Sequence, residues 1–333
     1  MLRVIIPAAG EGRRLRPFTH SRPKVLVEVA GKPIIGHILD RLSVVNPDEV
    51  CVVVGHRGDQ VTERLKADDR FRFRFVEQPD PRGLGDAVYR ARESFNGEPA
   101  LILLGDTIVE MDLAGLVGGE SAIGVREVAD PRRFGIVEMD RGRVTRLVEK
   151  PERPPTNLAI VGVYFIRESD RLFEALEELI ARERRTRDEY QLTDALQLMI
   201  ERGETLRVAE VGEWLDCGTA EALLDTNRYL LGRNGYCRPR PGAVFVEPVH
   251  VDDSARVENS VVGPNVSVGA GAVVVNSVIA DSIINRQARV ENALLSRSII
   301  GEQSVVEDAP RQLNLGDASE YRRVRGKADP GTR

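Results

Sequence analysis

Aliphatic residues recur at intervals of six in the C-terminal part of this chain. The interval joins Val251 to Val257, Val262 to Val268 and Val274, Ile284 to Val290, and Ile300 to Val306. A repeat this short is typical of β-helices, in which one turn of the chain stacks on the next. No aromatic residue occurs from 246 to 320, although the core of a β-sandwich, the alternative structure, rarely lacks them. We therefore predict a β-helix.

The repeat resembles the hexapeptide repeat of left-handed parallel β-helices, in which three hexads make one coil. About three coils would fit into a segment that we place at residues 243–308. Unequal spacings, such as that from Val274 to Ile284, predict loops or slips between coils. The polar segment 309–333 that follows is predicted to be partly disordered.

Residues 1–236 have a different pattern, in which apolar runs alternate with amphipathic segments. Val50–Val54 and Leu101–Leu104 are continuous apolar runs, as expected of strands in a sheet covered on both faces. Helices are predicted at 33–45, 59–66, 84–95, 172–184 and 192–201. The alternation predicts an α/β domain with a Rossmann-like, mainly parallel sheet and helices on both faces. In such sheets ligands bind at the carboxyl ends of the strands.

Composition excludes several classes of protein. The net charge of −5 disfavours nucleic acid as a partner, because nucleic-acid-binding domains are typically basic. No stretch of eighteen apolar residues occurs, so we expect no contact with a membrane. The first apolar run ends at Ala9 and is followed by charged residues, so we expect no signal peptide. Three cysteines without metal-ligand spacing favour a reducing, cytoplasmic location.

A glycine-containing loop follows the first predicted strand, Val4–Ile6. It contains Gly10 and Gly12, and a run of cations comes after it: Arg13, Arg14, Arg16, Arg22 and Lys24. A backbone without bulky side chains lets N–H groups approach phosphate oxygens, and the added cations favour a polyphosphate. The loop is not a P-loop, because no Gly-Lys-Ser/Thr closes it. It is not a dinucleotide fingerprint either, because Leu15 stands at the third glycine position.

This N-terminal segment resembles the signature of the sugar-1-phosphate nucleotidylyltransferases, in particular the glucose-1-phosphate thymidylyltransferase and uridylyltransferase group. Arg13 stands where that family usually has Thr. The resemblance implies that Ala9, Gly10, Gly12 and Arg13 bind the nucleotide. The residues that match the signature are Gly10, Gly12, Arg14, Leu15, Pro17, Thr19, Pro23, Lys24, Val29, Lys32 and Pro33.

A second segment, EQPDPRGLGDA, is similar to the family's base-binding loop. The resemblance implies that Gln78 and Gly83 bind the base. A glutamine amide offers a donor beside an acceptor, and the O4 and N3–H of thymine or uracil present the matching pair. Gln78 would therefore favour pyrimidine nucleotides, and Gly83 would let the ring approach the backbone.

Two acidic residues about 110 positions apart are candidates for a Mg²⁺ site. Asp106 follows the apolar run in LILLGD, and Asp216 lies in EWLDCGT, which resembles the family's W-L-D-x-G-T. Mg²⁺ usually takes one or two carboxylates together with phosphate oxygens. The resemblance implies that these two residues bind the metal.

The remaining motifs concern the sugar phosphate. The resemblance implies that Gly135 and Glu149 contact the hexose hydroxyls, and that Lys150 contacts the phosphate. Phe134 stands where the family often has Tyr. The segment around Thr193 and Asp194 resembles a helix start of the family and is expected to have a structural role.

Together these motifs imply an enzyme that joins a nucleoside triphosphate to a hexose 1-phosphate. The favoured substrates are dTTP or UTP and glucose 1-phosphate. Mg²⁺ would be the cofactor. Arg14 and Lys24 would stabilise the phosphates, and Lys150 would orient the attacking phosphate. The chain is expected to form a homo-oligomer, because the ends of a short β-helix need cover. The β-helix is expected to act in assembly and stability.

Three alternatives stay open at this point. Among enzymes, a mannose-1-phosphate guanylyltransferase is the closest alternative, and a catalytically silent regulatory or scaffold protein can have the same fold. An acyltransferase is the third alternative, because hexapeptide helices often serve in that class. Such enzymes generally use a histidine base, and none of the histidines here lies beyond His250.

Overall fold

The computed structural model of the protein describes residues 1–235, 238 and 240–309. The predicted disordered tail lies almost entirely outside these residues. In the part of the chain that is described, no helix is both long and apolar enough to cross a membrane. Two regions follow one another: a sheet region (residues 1–235) and a β-helix (residues 243–307).

The sheet region alternates strands and helices, as the sequence predicts. Its strands are β1 (Arg3–Pro7), β2 (Glu28–Val29), β3 (Lys32–Pro33), β4 (Glu49–Val54), β5 (Phe73–Glu77), β6 (Ala100–Leu103), β7 (Thr107–Glu110), β8 (Ala122–Glu127), β9 (Gly135–Asp140), β10 (Arg143–Glu149), β11 (Leu158–Ile166), β12 (Arg207–Glu210) and β13 (Glu213–Asp216). Its α-helices are α1 (Ile34–Leu42), α2 (Gly58–Lys66), α3 (Leu84–Arg90), α4 (Leu113–Val117), α5 (Ser169–Ala181), α6 (Leu192–Glu201) and α7 (Ala220–Asn234). Short 3-10 helices lie at Arg13–Leu15, Lys24–Leu26, Ala91–Ser94 and Pro131–Arg133.

The main sheet has nine strands in the order β5-β4-β1-β6-β11-β8-β12-β10-β9. Strands β5, β4, β1 and β6 are parallel, as expected of a Rossmann-like core. The other half departs from the predicted parallel arrangement, although β8 and β12 also pair in parallel. Strand β11 runs antiparallel to β6 and β8, and β10 runs antiparallel to β12 and β9. Strands β9 and β10 form a hairpin because Arg141 and Gly142 both have positive φ, which suits a tight two-residue turn.

Side chains of the central strands alternate between two cores. Val4 and Ile6 of β1 belong to one core, whereas Ile5 belongs to the core on the opposite face. Every residue of β4 is buried. The strands are continuously apolar because both faces of the sheet are covered, as predicted for Val50–Val54 and Leu101–Leu104.

The β-helix consists of short strands that form three parallel sheets of four strands each. We name the sheets by their outer surfaces: the apolar face (β14, β17, β20, β23), the docked face (β15, β18, β21, β24) and the charged face (β16, β19, β22, β25). The strands are β14 (Ala243–Phe245), β15 (Val249–Val251), β16 (Arg256–Glu258), β17 (Ser260–Val262), β18 (Val266–Val268), β19 (Val273–Val275), β20 (Val278–Ala280), β21 (Ile283–Ile284), β22 (Arg289–Glu291), β23 (Leu294–Ser296), β24 (Ile299–Ile300) and β25 (Val305–Glu307).

Coil length differs from the prediction. Val249 pairs with Val266, and Ile283 pairs with Ile299. The first interval is one residue shorter than three full hexads and the second is two residues shorter, so each coil contains one or two sides of five residues. The interval from Val274 to Ile284, predicted to be a loop or slip, consists of two such sides with the buried Ile279 between them. Each face has four strands, one more than the predicted three coils. The left-handed sense of the coils stays a prediction.

Each corner of the β-helix from Asn259 to Gln303 contains a residue with a left-handed backbone conformation. Asn and Asp tolerate this conformation better than other residues with a side chain. The side chains also bond from coil to coil, as in Asn276 Nδ2 to Asn292 Oδ1 at 3.2 Å. The corner residues with φ between 46° and 66° are Asn259, Asn265, Gly271, Asn276, Asp281, Gln287, Asn292, Arg297 and Gln303.

The docked face of the β-helix packs against the sheet region. Ile283 is 2 % exposed and belongs to the same core as β1 and α1. Asn227 of α7 is buried between the two regions, where it accepts from the Ala30 N–H at 2.9 Å and the Ser267 hydroxyl at 2.8 Å. It also donates to the carbonyl of Asn265 at 3.0 Å. Helix α7 therefore joins the two regions.

Candidate active site

The loops that follow β1 and β6 meet at the carboxyl edge of the parallel strands. Gly105 donates its N–H to the carbonyl of Pro7 at 3.1 Å, and Ala8 donates to the carbonyl of Val53 at 2.8 Å. These backbone bonds place Ala9 and Gly10 beside Asp106, where open parallel sheets bind ligands.

The two predicted metal ligands are neighbours. Strand β13 pairs with β7 so that Asp216 lies opposite Thr107, and the N–H of Cys217 donates to the carbonyl of Asp106 at 3.1 Å. Lys24 Nζ lies 2.5 Å from Asp106 Oδ2. The guanidinium of Arg14 lies near Asp216, since a Cβ added at Gly218 would be 3.0 Å from Arg14 Nη2 and 2.9 Å from Asp216 Oδ1. Two carboxylates and two cations thus form one cluster, which we name the charged cluster.

Burial and neighbouring charge act differently on the two carboxyl groups. Burial raises the pKa of Asp216, and the nearby carboxylate of Asp106 raises it further. Burial alone would also raise the pKa of Asp106, but the Lys24 ammonium outweighs burial, and this pKa lies below its usual value. A further cation between the two carboxylates would relieve their mutual repulsion.

The charged cluster fits the predicted Mg²⁺. Among the residues that the structure describes, no group of three or more His, Cys, Asp or Glu side chains could enclose a metal. Two adjacent carboxylates suit an ion that takes one or two carboxylates and completes its shell with phosphate oxygens and water. Asp106 and Asp216 would hold such an ion.

A cavity of about 300 Å³ lies on one side of Asp106. We name it the first cavity. Its wall is largely apolar, with backbone of the first loop on one side. The residues of the predicted nucleotide site and charged cluster that line it are Ala9, Gly10, Lys24, Gln78, Gly83 and Asp106.

Gln78 is buried, and its amide is already engaged within the protein. Its Nε2 donates to Asp86 Oδ2 at 2.8 Å and to the carbonyl of Gly83 at 3.1 Å. The NH₂ group has only two hydrogens, so its donor capacity is used and only Oε1 can face a ligand. A flipped amide would direct Oε1 at the Asp86 carboxylate. The predicted pairing of Gln78 with both O4 and N3–H of a pyrimidine is therefore reduced to an acceptor for one N–H.

Asp86, which orients the amide of Gln78, is thus a residue of the candidate site that sequence reasoning missed. It is 1 % exposed, and Arg82 and Arg90 lie 3.9 and 3.6 Å from its carboxylate. Its position in the first turn of α3, three residues after Gly83, was the available signal.

Gly83 has a structural requirement that the sequence does not show. Its φ is +112°, and an added Cβ would lie 2.6 Å from the carbonyl oxygen of Tyr190. Backbone atoms cannot move aside as a flexible side chain can. Gly83 is therefore needed for the contact with segment 189–190, whether or not a base also approaches it.

A second cavity of about 240 Å³ lies on the other side of Asp106. It contains the predicted residues of the sugar-phosphate site and part of the charged cluster. Asp106, Leu84, Leu104 and Glu189 line both cavities and form their common wall. The predicted residues along the second cavity are Arg14, Asp106, Gly135, Glu149, Lys150 and Asp216.

Glu149 is held in place from two sides in the second cavity. Its Oε2 accepts from the Thr193 hydroxyl at 2.8 Å, and its Oε1 lies 2.9 Å from Lys150 Nζ. Gly135 leaves room for this carboxylate, because a Cβ there would lie 3.0 Å from Glu149 Oε2. Thr193, expected to have only a structural role, therefore orients a residue of the cavity.

Trp214 is a second residue that sequence reasoning did not single out. Its ring lines the second cavity and packs edge-on against Phe134, with the ring centroids 4.6 Å apart. Its buried Nε1 has no hydrogen-bond partner among the described residues. A ligand oxygen could accept this hydrogen bond. The tryptophan of the W-L-D-x-G-T motif was the available signal.

Two predicted nucleotide-binding residues line neither cavity. Arg13 is exposed, and its guanidinium pairs with Glu11 at 2.7 Å. Gly12 has a φ of +64° and packs against Thr19 and Lys24, so an added Cβ would crowd both side chains. Gly12 thus shapes the loop that presents Lys24.

The chain belongs to the nucleotidyl transferase family, whose profile matches residues 3–233. Its relatives narrow the class further and confirm the resemblance to the sugar-1-phosphate nucleotidylyltransferases.

Two curated relatives and one solved structure illustrate this similarity. The low-salt glycan biosynthesis nucleotidyltransferase Agl11 of Haloferax volcanii is 35% identical over 239 residues, which are 68% of this chain and 65% of that protein. The chain therefore spans less than two thirds of that relative. The glucose-1-phosphate thymidylyltransferase of Streptomyces griseus is 32% identical over 295 residues, 84% of this chain and 81% of that protein. A candidate glucose-1-phosphate thymidylyltransferase from Bacillus anthracis, crystallised with sucrose, is 26% identical with a TM-score of 0.62, over 72% of this chain and 98% of that one.

Proposed function

We propose that the protein condenses a nucleoside triphosphate with a hexose 1-phosphate to give a nucleotide sugar and pyrophosphate. The observation that carries this proposal is the common wall of the two cavities. Asp106 lies in that wall, with Lys24 at 2.5 Å and Asp216 beside it. Two anionic substrates in adjacent cavities would bring their phosphates together at this charged cluster.

The reaction needs no protein nucleophile. An oxygen of the sugar phosphate attacks the α-phosphorus in line, and pyrophosphate leaves from the opposite side. Mg²⁺ held by Asp106 and Asp216 would supply positive charge to the phosphates. Lys24, from the first cavity, and Arg14, from the second, stabilise the charge that develops, and Lys150 orients the attacking phosphate. Catalysis then consists of positioning and electrostatic stabilisation.

We propose dTTP or UTP as the nucleotide and glucose 1-phosphate as the sugar phosphate. Support comes from the Streptomyces relative, which acts on glucose 1-phosphate by its name. The free Oε1 of Gln78 suits the N3–H of thymine or uracil. It also suits the N1–H of guanine, which keeps mannose-1-phosphate guanylyltransferase activity as the second candidate.

Two other functions have less support. A silent scaffold has no need of charged side chains, yet Arg14, Lys24, Asp106 and Asp216 form one cluster. An acyltransferase would use a histidine on the β-helix as its base. The ring of His250 instead packs against Gly31, and burial lowers its pKa.

We propose that the protein forms homo-oligomers through the apolar face. Val244, Val261, Val278 and Leu294 are in register there, and Leu294 is 78% exposed. The docked face is covered by the sheet region, and the charged face has Arg–Glu pairs. The buried free thiols of Cys51 and Cys217 are compatible with the proposed cytoplasmic location.

A pyrophosphate-release assay tests the proposed reaction. It crosses dTTP, UTP, GTP and ATP with the 1-phosphates of glucose, galactose, mannose and N-acetylglucosamine, with and without Mg²⁺. We expect the highest kcat/KM with glucose 1-phosphate and dTTP or UTP. Preference for GTP with mannose 1-phosphate would establish the second candidate, and no release with any pair would refute the function.

A further inference from the structure

The last coil of the β-helix contacts the segment that carries the phosphate-binding cations. Arg22 forms an ion pair with Glu302, which lies just after β24. Beside this pair, Pro17 and Phe18 face Ile299 and Ile300 across a cavity of about 390 Å³. The contact joins two parts of the chain that are far apart in sequence, one near its start and one near the end of the β-helix.

The segment lies outside the strands of the main sheet, and it is tied to the sheet region mainly through the buried side chains of Leu15, Val25 and Leu26. Among the described residues, none from 8 to 27 belongs to a strand. The segment is held by two short helical turns, by the Thr19 hydroxyl donating to the carbonyl of Gly12 at 2.8 Å, and by Gln60 Nε2 donating to the carbonyl of Ser21 at 3.0 Å. The Arg22–Glu302 pair is its anchor to the β-helix.

Arg22 lies close to the charged cluster along the chain. Only Pro23 separates it from Lys24, and two successive residues span at most about 7 Å. Pro23 and Lys24 are both buried, so this part of the chain has little freedom to absorb a displacement. A shift of Arg22 therefore moves the ammonium that contacts Asp106.

We propose that the Arg22–Glu302 ion pair is a positioning device by which the β-helix fixes Lys24 and the first cavity for a nucleoside triphosphate. This inference rests on the proposed function. Arg22 and Glu302 are positioning residues that act through Lys24.

Attachment of the β-helix does not depend on this pair. Asn227 makes two hydrogen bonds to the β-helix, and Arg228 Nη2 lies 2.9 Å from Asp281 Oδ1. Loss of the Glu302 charge should therefore loosen the segment around Arg22 and leave the β-helix docked.

The main test is the variant Glu302→Gln. Its matched control is Glu291→Gln, because Glu291 pairs with Arg289 at 2.7 Å on the charged face, away from the sheet region. We expect E302Q to raise the KM for dTTP roughly two- to fivefold. We expect the KM for glucose 1-phosphate and the Tm to stay unchanged, and E291Q to behave as wild type. A role in stability alone would lower the Tm and leave the KM for dTTP unchanged, which would overturn the inference.

Two further measurements complete the test. Hydrogen exchange of the peptide covering residues 16–22 should be faster in E302Q and unchanged in E291Q. The charge-swapped variant Arg22→Glu with Glu302→Arg should restore the KM for dTTP towards wild type. Unchanged exchange in E302Q, or no rescue by the swap, would refute the inference.

The inference and the proposed function can fail separately. If the wild type releases no pyrophosphate with any substrate pair, the proposed function fails. The role of the Arg22–Glu302 pair can then be tested without an activity assay, by comparing dTTP binding in a calorimeter and hydrogen exchange between E302Q and wild type. If the wild type is active and E302Q has a normal KM for dTTP, only the inference fails.

Discussion

In the β-helix, each strand pairs with the strand one coil further along the chain, and every coil repeats the same contacts. In the sheet region, Lys24 contacts Asp106 across a long stretch of sequence, and Asp216 joins them from a third segment that is more distant still. The β-helix thus repeats one local solution, whereas the charged cluster is assembled once from distant segments. The difference predicts that single substitutions are tolerated in the β-helix and costly at the charged cluster.

The largest effect is expected from Asp106→Asn and Asp216→Asn. Each removes one of two carboxylates at the common wall, and kcat should fall by at least about 100-fold, as when a preorganised electrostatic group is removed. Circular dichroism should show a retained fold. Asp225→Asn on the exposed side of α7 is the control and should leave kcat unchanged. Near-normal Mg²⁺-dependent turnover in D106N or D216N would contradict the assignment.

The apolar face is the part of the β-helix where we expect substitutions to have a large effect, because it is the proposed oligomer interface. The double variant Val278→Asp with Leu294→Asp places two carboxylates on the exposed column, and we expect the oligomer to dissociate. Val305→Asp is the matched control on the charged face, where the side chain is 65% exposed. Light scattering measures the mass. A wild-type protein that is already a monomer of 36.9 kDa would refute the assembly.

A smaller effect is expected at Gln78. Gln78→Ala removes one hydrogen bond to the base, worth about 1 kcal/mol, so the KM for dTTP should rise about fivefold and the preference over purine nucleotides should narrow. Asp86→Ala should also reduce the preference for dTTP over purine nucleotides, because the amide of Gln78 loses the carboxylate that orients it. Steady-state kinetics with dTTP and GTP measure both variants. An unchanged nucleotide preference in Q78A would show that another group reads the base.

The smallest effect is expected at a corner of the β-helix. Asn292→Ala keeps the left-handed backbone but removes the residue type that tolerates it, so the free energy of unfolding should fall by about 1 kcal/mol. Asn292→Gly should cost less. Chemical denaturation monitored by circular dichroism compares both with wild type. A loss of several kcal/mol in N292A would show that the coils are not independent.

How much the sequence predicts differs between these regions for a physical reason. The motifs around Asp106 and Asp216 predicted two residues that the structure places side by side, Asp106 just before β7 and Asp216 at the end of the paired strand β13, because short motifs fix local backbone. The reversed direction of β10 and β11 was missed, since the pairing of β11 with β6 and β8 depends on tertiary packing. The engagement of Gln78 by Asp86 was missed because only the folded chain shows which amide hydrogens are already used.

The β-helix shows the opposite balance. Its class follows from periodicity, yet the predicted coil length of three hexads was wrong, because the shorter spacings were interpreted as loops or slips and not as five-residue sides. The left-handed corners at Asn276 and Asp281, which are closer together than a full hexad, were the signal for the shorter sides. Asn and Asp at such spacing mark corners more directly than the aliphatic residues mark strands.

The common wall of the two cavities has a thermodynamic consequence. Both proposed substrates are anions, so a ligand in one cavity would change the electrostatic potential in the other through Asp106 and Lys24. The two binding equilibria are therefore linked, and linkage is reciprocal: if dTTP changes the affinity for glucose 1-phosphate by some factor, glucose 1-phosphate must change the affinity for dTTP by the same factor. In the proposed reaction, the charged cluster would thereby set the energetic coupling between the two substrates as well as their chemistry.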